Sequence, residues 1–581
     1  MTDKSEDLAS SDSSSPRANT TMSSKNSAAR IPAPEKPETV RTRSLVIAAF
    51  WCMIIFFGFP IWWKTTSVYR ARLPIEAMVD WANGKTCRPV FPLEIYFTAS
   101  SMPVSDAQHL IRSTQHTLDD LNEFSAHSLR LKLVDSQWDG DNSTVNGDEV
   151  ALSVKLLPQE GLSAPKSVLH ADTTQLDVFY PPHQIPVPSS SNSPLSTFVA
   201  EELQALFSEE KATIAHILSS SSAAGPNINA PISSNNPVGS AIRNIDSPQL
   251  VETIIRRLRR SMRYAETYHL SFSLFTPGSQ PSSWDVEAAV EEYLAPLLQA
   301  FTPISNFTID TQVQVYATFS PTAPLPEYDD SQGVWTLKTE DLSAFINAAE
   351  WPLSPSIGAG PTINFILYVP APSQAPLVVK ENRATSWIIP QWGGVVLLSP
   401  PLSTDNENPS NPSHLPQESL RPAFMTFSHQ LLTLLGAPAT PASLPLRLQT
   451  LTRIRAATLL LSASSTMGSL ARLTESLPSI PIPASVATSV SATLSHLSSA
   501  CSLLHQGRFA AALASARVAE TEAERSFFEK SMVGQVYFPD EHKVAVYLPL
   551  LGPVGVPLVV GLLKELKRIA RSRKAKGGMS S

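Results

Sequence analysis

Residues 44–63, SLVIAAFWCMIIFFGFPIWW, carry no charge over twenty positions, and this run decides how the rest of the chain is read. A helix of ~20 apolar residues spans the ~30 Å hydrocarbon layer of a bilayer. Trp62 and Trp63 close the run, as expected where amphipathic rings settle at the headgroups. Pro60 is tolerated near the end of a membrane helix. A cleaved signal peptide fits less well, because 43 residues precede the run and Trp-Trp-Lys stands where small residues belong.

A second run, VAVYLPLLGPVGVPLVVGLL, occupies residues 544–563. Pro549, Pro553 and Pro557 recur every four residues, a spacing that would break a soluble helix. In lipid, the carbonyls freed by proline find donors on neighbouring helices, so this run predicts a second span packed within a larger assembly. Five Lys/Arg lie in the twenty residues before the first run and three in the twenty after it. Three precede the second run and seven follow it. Positive charge favours the cytosolic side, so both termini are expected there and residues 64–543 in the lumen.

Composition agrees with that layout. Charged residues make up 16% of the 581, against ~25% in an ordinary soluble protein. Fifty prolines against 22 glycines imply many stiff loops. The net charge of −7 argues against a nucleic-acid partner, which needs a concentrated basic face. Basic residues gather instead in the tail from Lys564, with seven Lys/Arg and one Glu. Such a tail suits a topology signal or contact with anionic membrane lipid.

Asn142 (NST) and Asn306 (NFT) are glycosylation sequons in the lumenal stretch, while Asn19 (NTT) falls in the cytosolic tail. Cys52 lies inside the first run. Cys87 and Cys501 can form one long-range bridge in an oxidising lumen or remain two thiols; spacing does not choose between these.

Residues 1–43 are too poor in large apolar groups to fold and are expected to be a disordered cytosolic tail. Between the spans (44–63 and 544–563), strand-like runs at 93–100, 129–135, 150–157 and 176–181 alternate with helical periods at 107–124 and 197–218. This predicts a first α/β part over about 90–218. A Ser/Pro/Asn-rich linker follows at 219–239. A second α/β part covers 240–442, with helices at 250–266 and 284–301, strands at 268–277 and 306–319, and two-face-buried runs at 363–370 and 392–400. The Pro/Asn-rich stretch 401–419 reads as an exposed loop. Residues 443–535 carry helical periodicity without strand signals, over 443–477 and 487–530, and 564–581 form the basic cytosolic tail. The expected fold class is an α/β lumenal domain, a mixed sheet layered with helices, plus a helical C-terminal segment, anchored by two transmembrane helices.

The sequence offers little sign of catalysis. It lacks the nucleophile elbow G-x-S-x-G, H-E-x-x-H, a P-loop and G-x-G-x-x-G. Cys501 and His505 share a helix face, but two ligands fall short of a zinc site and a Cys–His pair needs an orienting partner. The stretch DGDNSTVNGDE (139–149) has Thr144 and Val150 where a calcium loop needs Gly and Glu. Asp119/Asp120 and Asp329/Asp330 read as solvated surface. No catalytic, cofactor or metal residues are assigned.

Two flanking stretches, FPIWWKTTSVYRARLP (59–74) and YFPDEHKVAVYLPLLGPVGVPLVVGLLK (537–564), resemble the PIG-S family, the S subunit of the GPI transamidase of the endoplasmic reticulum. WDVEAAVEEYLAPLLQAFTPISNFTIDTQVQVYA (284–317), QWGGVVLLSP (391–400) and ASARVAETEAERSFFE (514–529) look like it too. The likeness runs from about residue 44 to 564, with departures at 219–239, 401–419 and the N-terminal tail. It implies a non-catalytic subunit of the membrane complex that attaches GPI anchors to proteins. Its implied partners are PIG-K, which carries the catalysis, PIG-T, PIG-U and a GPAA-type subunit. A membrane-anchored lumenal hydrolase or glycosyltransferase, or a cargo adaptor, is the alternative; the first would need convergent carboxylates or a metal motif.

Overall fold

Apolar runs and alternating stretches become strands close to where the sequence places them, though the strand read over 306–319 ends at Gln314 and the run at 392–400 is a strand only over Gly393–Leu397. The computed structural model describes residues 36–66, 69–134, 144–145, 148–185, 193–222, 248–317, 324–342, 360–401, 410–477, 480–532 and 540–577. It divides into a unit over Tyr69–Tyr537 and a unit formed by the two terminal segments.

The larger unit begins with helix α1 (Ile75–Ala82), strand β1 (Phe91–Thr98), helix α2 (Val104–Asp120) and strand β2 (His127–Leu133). Strands β3 (Asp148–Pro158), β4 (Lys166–Leu169) and β5 (Gln175–Tyr180) and the long helix α3 (Pro194–Ser222) follow. The main strands lie in the order β2-β1-β3-β5-β4, parallel except for β4 at one edge. Helix α3 includes residues 219–222, the start of the expected linker; 223–239 lie outside the described residues.

The second part repeats this plan. Helix α4 (Pro248–Arg260) leads into β6 (Thr267–Phe275), α5 (Val286–Ala289), a π-helical turn (Val290–Leu294), α6 (Ala295–Phe301) and β7 (Asn306–Gln314). Short strands β8 (Glu327–Asp329) and β9 (Val334–Leu337) precede β10 (Thr362–Tyr368), β11 (Leu377–Val379), β12 (Ser386–Ile389), β13 (Gly393–Leu397) and helix α7 (Gln417–Leu434). The main sheet runs β7-β6-β10-β13-β12, again parallel except for an antiparallel edge. Numbering strands within each part, both sheets read second, first, third, fifth, fourth. The α/β region is thus two sheets built on one topology.

Strands β10 and β13 are buried on both faces, as continuous apolar runs predict for parallel strands. One face of the second sheet meets α5–α7 through Phe272, Phe365, Phe424 and Phe427. Leu337, Leu377 and Val379 of a small sheet, β8-β9-β11, share another core with Phe275, Ile366 and Val395. That small sheet lacks a sequence signal because its strands have only three or four residues. The expected loop 401–419 is shorter than read: His414–Leu415 pairs with Ser283–Trp284, and α7 starts at Gln417.

Residues 444–527 form a helical arm of α8 (Leu444–Ser476), α9 (Ala484–His505) and α10 (Phe509–Phe527). The stretch read as helical over 487–530 is broken at Gly507, whose φ of +75° suits glycine and whose amide donates to the Leu504 carbonyl. The arm joins the first α/β part in one core: Phe91 of β1 stacks on Phe509, and Met467, Val490 and Leu504 lie in the same cluster.

The terminal unit holds two long helices. One passes from Pro37–Met53 through a π-helical turn, Ile54–Gly58, into Phe59–Thr66. It starts ahead of the apolar run, so Pro37–Arg43 of the expected tail are helical, with Pro37 and Glu38 in the favourable first turn. Among the described residues, Glu38–Ile61 is the helical stretch long and apolar enough to cross a membrane, and none of it is buried. The other helix, Asp540–Gly577, continues through Pro549, Pro553 and Pro557.

Candidate functional site

The terminal helices meet through polar groups at the ends that flank their apolar runs. Glu565 is the one acid in the basic tail, and its side chain is 8% exposed. Arg43 Nε donates to its Oε1 at 3.2 Å and Ser44 Oγ to its Oε2 at 3.0 Å, with Arg568 at 3.4 Å. One turn along, a Cβ at Gly561 would lie 3.7 Å from Ile47 Cδ1. The start of the first helix therefore lies beside the end of the second, and the two run antiparallel. Leu45, Phe56 and Phe57 on one helix and Leu548, Val554 and Val556 on the other are exposed. Apolar surface of that extent suits lipid or a partner.

In the larger unit, Cys87 and Cys501 form a disulfide across 414 residues, joining the segment before β1 to α9. His505 Nε2 lies 3.9 Å from the Cys501 sulfur and donates to the Arg88 carbonyl at 2.8 Å. The three side chains cluster as metal ligands would. Their donor set does not suit a metal: both sulfurs are spent in the disulfide, whereas zinc takes thiolates.

Asn306 opens β7, the edge strand of the second sheet, and is exposed. Asn142 and most of the acidic stretch 139–149 lie outside the described residues. Asp120 is exposed and accepts from His116 at 2.8 Å, and Asp329 accepts from Ser331 in a turn. Among the described residues, neither acidic pair shares a site with other carboxylates.

Sequence reading passed over two consecutive acids of α3. Glu210 is bound by Arg453 and Thr450 of α8, with His127 of β2 at 3.4 Å. Glu209 is bound by Arg257 of α4 and by Thr440. Two neighbouring residues thus tie the first part to the second part and the arm. A signal existed, since Glu210 stands on the apolar stripe of Leu203, Leu206, Ile214 and Ile217, where an acid must be paired.

Comparison with known proteins covers most of the chain. The profile of the family described as "Phosphatidylinositol-glycan biosynthesis class S protein" matches residues 49–572. The chain is similar to the GPI-anchor transamidase component PIGS of Bos taurus, 26% identical over 566 residues covering 90% of this chain and 95% of the relative. It resembles the Homo sapiens protein of that name at 25% over 557 residues, 89% and 93% of the two chains. The GPI transamidase component PIG-S homolog of Schizosaccharomyces pombe is 28% identical over 553 residues, 93% and 86%. The match takes in most of the first apolar run, the second run, the two α/β parts and the helical arm, and the chain belongs to the PIG-S family.

Proposed function

We propose that this chain is a non-catalytic subunit of a GPI transamidase, seated in the endoplasmic reticulum membrane and supporting the attachment of GPI anchors to proteins. The family match over residues 49–572 carries this reading, together with relatives named as transamidase components in mammals and yeast. PIG-K, PIG-T, PIG-U and a GPAA-type subunit are its proposed partners, with PIG-K supplying the nucleophile.

Two spans, at 44–63 and 544–563, hold the chain, with both termini cytosolic and residues 64–543 lumenal. The contact of Arg43 and Ser44 with Glu565 supports this layout, because antiparallel helices paired at those ends bring both termini to one side. The basic residues from Lys564 then sit where anionic cytosolic lipid attracts them. Asn142 and Asn306 would carry glycans and Asn19 would not.

Removing the protein from cells and measuring GPI-anchored proteins at the surface tests the function. Loss of surface anchoring with accumulation of unprocessed precursor is expected. Normal anchoring without precursor would sink the assignment.

A further inference from the structure

Each main sheet has two edges, and among the described residues three of the four are capped or short. In the first sheet, β2 carries Arg130 and Lys132, and the Gln115 side chain of α2 closes its outer edge. Gln115 Nε2 donates to the Leu129 carbonyl and its Oε1 accepts from the Leu131 amide, both at 3.0 Å. The edge strands β4 and β12 have four residues each. Shortness, charged side chains and covering are the devices that keep a sheet edge from pairing with another chain.

The fourth edge has none of them. Strand β7 holds the place in the second sheet that β2 holds in the first, yet it runs nine residues, Asn306–Gln314, without Lys, Arg or Pro. The Asn306 amide donates to the Glu266 carbonyl and the Gln314 carbonyl accepts from the Thr276 amide, so the even-numbered residues bond inward to β6. Alternation then turns the N–H and C=O groups of Phe307, Ile309, Thr311 and Val313 outward. No described residue bonds to them.

Ile309 lies beside Leu270 and Val313 beside Leu274, on the face covered by the helical layer. Leu270 and Leu274 are fully buried, whereas Ile309 and Val313 are 37% and 40% exposed, so that layer stops short of the edge. The other face of β7 holds Thr308, Gln312 and the strand's one charge, Asp310. A glycan on Asn306 would leave from that other face at the strand's start, with the edge beyond it clear.

We propose that a β-strand of a partner subunit adds to the outer edge of β7 and completes the second sheet. Unpaired groups repeating along an extended backbone select an occupant that is itself extended. Alternation asks of it apolar residues beside Ile309 and Val313 and polar or basic ones beside Asp310. The proposal rests on the reading of the chain as one subunit among several, which supplies the partner.

The test places a photoreactive benzoylphenylalanine at Val313 in the full chain in its native membrane, and adducts are mapped by mass spectrometry. The expected result is an adduct to one defined segment of another transamidase subunit. Thr311→Pro deletes an outward amide that the β6 ladder does not use, a position where an edge strand accepts proline. It should cut the yield about ten-fold, through the lost hydrogen bond and the ring set against the added strand. Thr311→Ala keeps the amide and should leave the yield unchanged. Ile309→Lys should also lower it severalfold, and this variant decides the matter if the proline variant unfolds on heating earlier than the unsubstituted chain. Adducts confined to this chain, a second copy of it or lipid would overturn the proposal. So would a yield indifferent to Thr311→Pro and Ile309→Lys, or one lowered equally by Thr311→Ala and Thr311→Pro. Co-purification with the other subunits but no adduct would sink the strand addition and leave the subunit reading standing. Failure of the unsubstituted chain to co-purify with any transamidase subunit would overturn the subunit reading, and the edge proposal with it.

Discussion

Arg453 and Glu210, 243 residues apart in sequence, form a two-pronged ion pair whose side chains are each 2% exposed. Nε donates to Oε1 at 2.6 Å and Nη2 to Oε2 at 2.7 Å, and the guanidinium also lies over the Phe509 ring. Breaking such a pair strands a charge in the core, at a cost of about 3–5 kcal/mol, whereas replacing both partners by apolar groups costs far less. Arg453→Met alone should therefore lower stability by about 3–5 kcal/mol, and Arg453→Met with Glu210→Leu should recover most of it. Thermal unfolding of the purified protein checks this; a single substitution costing under about 1 kcal/mol would show the pair to be incidental.

The same carboxylate sets an acid limit. Burial pushes Glu210 toward the neutral form, but Arg453 and His127 outweigh it and hold the carboxyl well below its usual range. The folded state then binds that proton more weakly than the unfolded chain, whose value is ~4.3. The pair's contribution is full above about pH 4.3 and is lost as pH falls through the lower folded value. Denaturant midpoints should fall less steeply below about pH 4 in the Met/Leu double variant than in the unsubstituted protein. Equal slopes would assign the acid sensitivity to other groups.

How much of this was legible beforehand follows from what sets each feature. The main strands announced themselves because β10 and β13 are largely apolar runs and β6 alternates Leu and Phe with Ser, each on a buried stretch. The shared strand order did not, since pairing is non-local and periodicity carries no partner information. The same holds for Glu210: its place on an apolar stripe was visible, its partner Arg453 was not. The edge strands β4 and β12 and the small sheet escaped notice because four residues give too little alternation to stand out.

The disulfide offers a cleaner measurement. Cys87 and Cys501 close a loop of 414 residues, and Cys52 is free and exposed. Peptide mapping without reductant should recover Cys87 linked to Cys501, with only Cys52 open to alkylation. Cys87→Ser should destabilise the protein by about 2–5 kcal/mol, mostly by releasing the unfolded chain. Alkylation of all three thiols in native protein would refute the linkage.

Asn306 tests the placement of the second sheet relative to the glycosylation machinery. Its exposed position at the head of an edge strand leaves the amide reachable. Asn306→Gln should remove one glycan from the protein, and Asn142→Gln another, with no change on Asn19→Gln. Loss confined to Asn19 would invert the orientation of the whole chain.

The terminal helices give the sharpest test of topology, because one short distance stands for the whole arrangement. With Ile47 Cδ1 3.7 Å from a Cβ at position 561, Ile47→Cys and Gly561→Cys should cross-link on mild oxidation in membranes. Reversing the charge in Glu565→Arg sets it against Arg43 and Arg568 and should cut the yield severalfold. Reversing both, Arg43→Glu with Glu565→Arg, should restore much of it, since the attraction between residues 43 and 565 is rebuilt with the signs exchanged. A pair that never cross-links would separate the helices and remove the main structural support for two antiparallel spans. A yield indifferent to both reversals would keep the spans but assign their pairing to apolar packing at Ile47 and Gly561 rather than to Glu565.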